Sequence, residues 1–108
     1  MIDTRTKNII RYYMPEKDDL DNMTDLFSAF SDQTRLKILS ALSICELCVG
    51  DLSDVLEIHQ TTISHQLKFL KDLNLIKSRR VGKIIFYALS GDLVGNIMNV
   101  GVASIAKE

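Results

Sequence analysis

The sequence predicts a mainly α-helical domain carrying one small β-hairpin, and two patterns predict it. Between Leu52 and Leu73 two short helical segments are joined by a tight turn. The second of them places Ile63, Leu67 and Leu70 at i, i+4 and i+7 on one face, with Leu73 close by. From Ile76 the helical period gives way to alternation, IKSRRVGKIIFYAL, in which Gly82 and Lys83 separate two strand-like runs, about Lys77 to Val81 and Ile84 to Leu89. A helix-turn-helix followed at once by a basic hairpin is a winged helix-turn-helix.

The remaining elements follow in order. Ile9, Ile10, Tyr12 and Tyr13 precede Pro15, so the arm forms a short helix that docks on something and breaks at the proline. Residues 1–17 are this N-terminal arm, and 18–108 the DNA-binding and dimerisation domain. Asp18, Asp19 and Asp21 suit the positive end of a helix running to Phe30, with Leu20, Met23, Leu26 and Phe27 on its apolar side. Ser31 or Asp32 caps the next helix, Thr34 to about Ser43, which turns Leu36, Ile38, Leu39 and Leu42 inward. The first motif helix covers roughly Val49 to Leu56. Asn74 ends the second. A last helix, about Gly91 to Lys107, is apolar around much of its circumference and needs cover on more than one side. That predicts a homodimer through the N- and C-terminal helices, which sets two second motif helices about 34 Å apart, one turn of DNA.

The outer face of the second motif helix offers Gln60, Thr61, Thr62, Ser64, His65, Gln66 and Lys68, with almost no acid. Gln bonds adenine bidentately, Ser and Thr serve either partner, and Lys meets guanine or phosphate, so this face suits the major groove of double-stranded DNA. Arg79, Arg80 and Lys83 sit on or near the hairpin tip, where they hold phosphates or reach the minor groove. Net charge is −1, yet residues 59–89 carry six Lys and Arg against one acid, Asp72, while residues 1–58 carry six against eleven. The basic footprint is local. His59, near the cap of the reading helix, is open to capping, to phosphate contact or to a site with Cys48.

At 108 residues the chain is one domain with a modest core. No apolar run approaches the roughly 18 residues of a membrane span, and the start lacks a signal-peptide core, so a cytoplasmic protein with no membrane partner is expected. The two cysteines, Cys45 and Cys48, are then reduced thiols with the spacing of a two-thiolate metal clamp or a redox dithiol. No βαβ pattern surrounds them, which argues against a thiol oxidoreductase and against an enzyme.

In combination and order, SDQTRLKILSAL (Ser31 to Leu42), ELCVGDLS (Glu46 to Ser53), TTISHQLKFLKDLNLI (Thr61 to Ile76) and RRVGKIIFYAL (Arg79 to Leu89) resemble the ArsR/SmtB family of winged-helix repressors. The resemblance implies a dimer that leaves its operator when a metal or other inducer binds. It places a sensing Cys at Cys48 and an acid at Asp51. The family's second thiol position holds Gly50, its arsenic-sensing position holds Ser53, and residues 1–44 contain neither Cys nor His. On the terminal helix the family's Asp-x-His…His…Glu pattern falls on Asp92, Val94, Ile105 and Glu108, so no zinc site is expected there. The reading is a repressor released by zinc, cadmium or arsenite bound through Cys45 and Cys48, with Asp51 as a further ligand, and requiring no other cofactor. Its alternative makes the same pair a redox or reactive-sulfur switch.

Overall fold

The computed structural model describes residues 1–106. Helix α1, Thr4–Tyr13, starts where the Asp3 carboxylate accepts the Thr6 amide at 2.8 Å and ends at Met14, which is extended before Pro15. Helix α2, Lys17–Ser28, opens with Asp18 and Asp19 in its first turn. Helix α3, Gln33–Leu42, is capped by Asp32, whose carboxylate accepts the Arg35 amide at 3.0 Å. A two-residue strand, β1 (Leu47–Cys48), leads directly into α4, Val49–Leu56. After the turn at Glu57 to His59 comes α5, Gln60–Asp72, followed by β2 (Ile76–Val81), β3 (Ile84–Leu89) and α6 (Leu93–Ile105). The terminal helix was expected to reach Lys107, which lies outside the described residues.

The core is built from one face of each central helix. Ile38 and Leu39 of α3, Leu52 of α4, and Ile63, Leu67 and Leu70 of α5 are essentially inaccessible, and Ile76 and Val94 close the cluster from β2 and α6. These include the three residues that the i, i+4, i+7 spacing assigned inward. Two left-handed residues make the turns. Glu57 (φ 56°) ends α4, and the Ile58 amide bonds back to the Ser53 carbonyl. Asn74 (φ 60°) ends α5, and the Leu75 amide returns to the Leu70 carbonyl, a Schellman closure.

The sheet differs from the expected hairpin by one strand. Its order is β1-β3-β2, all antiparallel, with Leu47 opposite Tyr87 and Cys48 opposite Phe86. The pairing of Val81 with Ile84 leaves a two-residue turn, and Gly82 (φ +63°) supplies the positive φ that its first position needs. β1 also begins one residue after Glu46, which anchors it to the wing as described below.

The chain is elongated, 62 × 37 × 22 Å with a radius of gyration of 18.1 Å, where a compact domain of 100 residues has about 13 Å. The reason is that α1 and α2 bury no residue and α6 buries only Val94. Ile9, Ile10, Tyr12 and Tyr13, expected to dock on something, are exposed, as are Met23 and Phe27 of α2 and Val100 and Ile105 of α6.

Candidate nucleic-acid interface

The amphipathicity of α5 turns its two faces to different tasks. With Ile63, Leu67 and Leu70 anchored in the core, Gln60, Thr61, Thr62, Ser64, His65 and Lys68 are all exposed on the other side. Gln66 differs from its neighbours. It is half-buried, and its Oε1 accepts from Arg35 Nη1 at 3.1 Å, so this side chain grips α3 on the flank of the helix. His59 is the N-cap of α5 but makes no side-chain cap hydrogen bond. A serine there accepts an orphan amide, so His59→Ser is expected to stabilise the domain by about 1 kcal/mol, read as a rise in the thermal midpoint; no rise would mean that the first turn is held by other contacts.

The wing's three basic residues are held differently. Lys83 is exposed in the turn, and Arg80 Nε donates to the Gly82 carbonyl at 2.9 Å, bracing that turn from inside. Arg79 points across the sheet. Its guanidinium lies 5.3 Å from the Phe86 ring centroid, Nε donates to both Glu46 carboxylate oxygens at 2.9 Å, and Nη2 also bonds Oε1. These hydrogen bonds hold the Glu46 carboxyl below the usual carboxylate range, so the pair stays charged at neutral pH.

Between α5 and the wing lies an open cleft of about 800 Å³ lined by Ser64, Lys68, Lys71, Lys77, Ser78 and Tyr87, among others. Lys71 Nζ donates to Ser78 Oγ at 2.7 Å, and Lys68 is 3.5 Å from Asp72. Lys71 and Lys77 enter the sequence reading only as two of the six bases of residues 59–89, and Ser78 does not enter it. The available signal was the strand alternation, which points Ser78 of β2 toward the α5 side, and the position of Lys71 one turn beyond Lys68.

The two thiols flank β1. Cys45 is exposed in the bend after α3, and Cys48 is half-buried at the N-cap of α4, without a cap hydrogen bond. Cys48, Phe86 and Arg79 occupy one row across the three strands, so their side chains share the face of the sheet that Arg79 and Glu46 cover. Asp51 sits exposed in the first turn of α4. Among the described residues no three of His, Cys, Asp and Glu converge where a metal ion could be held, so Cys45, Cys48 and Asp51 form no closed site within one chain. Glu108, the last position of the terminal-helix pattern, lies outside the described residues.

The sequence pattern of the bacterial regulatory proteins of the arsR family matches residues 32–78, from the cap of α3 into β2. Over 91 residues, 82% of this chain and 69% of the other, the chain is 40% identical to the transcriptional repressor SmtB homolog of Synechocystis sp.. The chain belongs to the ArsR family. It is accordingly a DNA-binding transcriptional regulator rather than an enzyme. A second relative, the cadmium resistance transcriptional regulatory protein CadC homolog of Staphylococcus aureus, is 38% identical over 78 residues, 71% of this chain and 64% of that one. The chain thus spans about two thirds of the length of these relatives. The fold matches the homodimeric winged helix-turn-helix DNA-binding domain of a possible ArsR-family regulator from Mycobacterium bovis, with a TM-score of 0.74 and 26% identity, covering 85% of this chain and 88% of that one. No helix among the described residues is long and apolar enough to cross a membrane.

Proposed function

We propose that this ArsR-family chain is a homodimeric repressor whose two α5 helices read successive major grooves of an operator and whose thiol pair senses the inducer. The observation that carries the reading is the division of α5 into a buried apolar face and an exposed face of Gln60, Thr61, Thr62, Ser64, His65 and Lys68 beside a basic cleft. Side chains of these types read base edges, while Lys71 and Lys77 in the cleft and Lys83 at the tip take phosphates. Arg80 acts on the wing through its turn, and Arg79 acts on it through its pairing with Glu46. Gln66 supports the helix from its flank. The exposed apolar residues of α2 and α6 support a dimer seam, since side chains left bare in one copy are covered by the second. The M. bovis domain is homodimeric. Residues 1–17 act as an arm of that seam.

The inducer in this reading is a soft, thiophilic cation or metalloid such as cadmium or arsenite. Two thiolates bind such an ion well, whereas a four-ligand zinc site is more than the described residues of one chain supply. The cadmium resistance regulator at 38% identity supports this class.

A second reading is favoured by there being two sulfurs and, among the described residues, no third ligand beside them. An oxidant or sulfane sulfur would join the thiols, forming one S–S bond and taking two electrons as two protons leave. Cys45 lies in the bend before β1 and Cys48 ends that strand, and a disulfide needs their Cα atoms within about 7 Å of each other.

Fluorescence anisotropy on a duplex that the chain selects from a randomised pool tests both readings, with cadmium, arsenite and a polysulfide titrated in turn. Release by the thiophilic ions under reducing conditions supports the first reading, and release by polysulfide alone supports the second. Failure to select any duplex would refute the operator-binding function itself.

A further inference from the structure

One side chain joins the helix proposed for dimerisation to the helix proposed to read DNA. Arg35, on α3, donates from Nη2 to the carbonyl of Ser28, the last residue of α2, at 2.8 Å, and from Nη1 to Gln66 Oε1 on α5 at 3.1 Å. Its guanidinium carbon lies 4.6 Å from the centroid of the Phe69 ring, also on α5. Gln66 and Phe69 are one turn apart, so Arg35 grips one flank of α5 between its buried and its exposed faces. Asp32 fixes the root of the side chain by accepting the Arg35 amide at 3.0 Å.

The electrostatics make this an unusual place for a charge. Arg35 is half-buried, its Nε is buried without a partner among the described residues, and the ion pairs among those residues involve Lys17, Lys68 and Arg79 instead. A methionine would fill similar space without desolvating a guanidinium, so packing alone does not call for arginine. Geometry does. The guanidinium is a rigid planar fork with fixed donor directions. A fork that meets a carbonyl on α2 with one arm and an amide on α5 with the other, and stacks on Phe69, allows the two helices one relative pitch.

We infer that Arg35 is a positioning residue for operator recognition, setting the orientation of α5 relative to α2 so that the dimer presents both reading helices at the pitch of successive major grooves. This rests on the repressor reading above. Arg35 contacts no DNA in this role, so its loss affects the discrimination between sequences and spares the charge that holds any duplex.

The test uses the full chain and two duplexes of equal length, the one that the native chain selects from a randomised pool and its scrambled counterpart. Arg35→Met is expected to lower the affinity ratio between them about tenfold, leaving scrambled-duplex affinity and the salt slope of binding unchanged. Gln66→Met is expected to lower the ratio as well, and the double variant to lose less than the two single losses combined, because both act through one contact. Arg35→Lys, which keeps the charge and loses the fork, is expected not to restore it. An unchanged ratio in Arg35→Met, a slope shallower by about one, or full recovery with Arg35→Lys would each overturn the inference. If Arg35→Met does not fold, Gln66→Met decides, and an unchanged ratio there overturns it. A native chain that selects no duplex removes the repressor reading and this inference together, whereas selection that survives both substitutions removes the inference alone.

Discussion

A chain carrying Cys48→Ser is expected to bind its selected duplex as tightly as the native chain and to respond to cadmium or arsenite by less than about twofold. The native chain should lose between about 5-fold and 150-fold of its affinity, the range that ~1 to 3 kcal/mol of coupling produces. Cys48 is the thiol placed to matter, since it is half-buried where β1 passes into α4 and shares a row with Phe86 and Arg79. An ion that draws on Cys48 also draws on the strand that follows Glu46, and through Glu46 on the wing. Cys45, exposed in a bend, is expected to give a smaller loss when replaced. Anisotropy titrations of the two variants read both numbers. A Cys48→Ser chain that still releases with the native profile would end the thiol-sensing proposal.

Leu67→Ala is expected to cost about 2–5 kcal/mol of stability, the range for removing a buried leucine side chain. Leu67 is 1% exposed and belongs to the apolar face that holds α5 against the rest of the core. Urea unfolding followed by far-UV circular dichroism measures the loss as a fall in midpoint at constant slope. Ile44→Ala serves as the contrast, because Ile44 is 84% exposed, and it is expected to stay within about 0.5 kcal/mol. Equal losses in the two variants would contradict the placement of the core.

The parts legible in the sequence are those governed by local rules. The α5 faces follow from a 3.6-residue period, the wing from alternation around Gly82, the start of α3 from Asp32, and the end of α5 from Asn74. What is not legible there depends on partners distant in the chain. β1 is two residues long and has no periodicity of its own; it is a strand because β3 presents it with an open edge. The Arg35 clamp joins positions 31 residues apart, and the Glu46–Arg79 pair positions 33 apart. That pair also changes what the charge count means, since the six bases of residues 59–89 include one whose charge is met by an acid from outside the segment. The dimer is legible in the apolar circumference of the last helix, since nothing among the described residues covers Val100 and Ile105.

The pairing of β1 with β3 also bears on how the chain folds and breathes. Cys48 and Phe86 are 38 positions apart, so their pairing closes a long loop, whereas α4 and α5 meet across a three-residue turn. Loop-closure entropy delays such distant pairings during folding, and a short edge strand with few buried contacts is among the first parts to open locally. With two residues in the strand, opening it exposes little of the core. The thiol at its end is therefore attached to a hinge of low local stability, and a reagent reaches Cys48 at a pace governed by how often that short edge lets go.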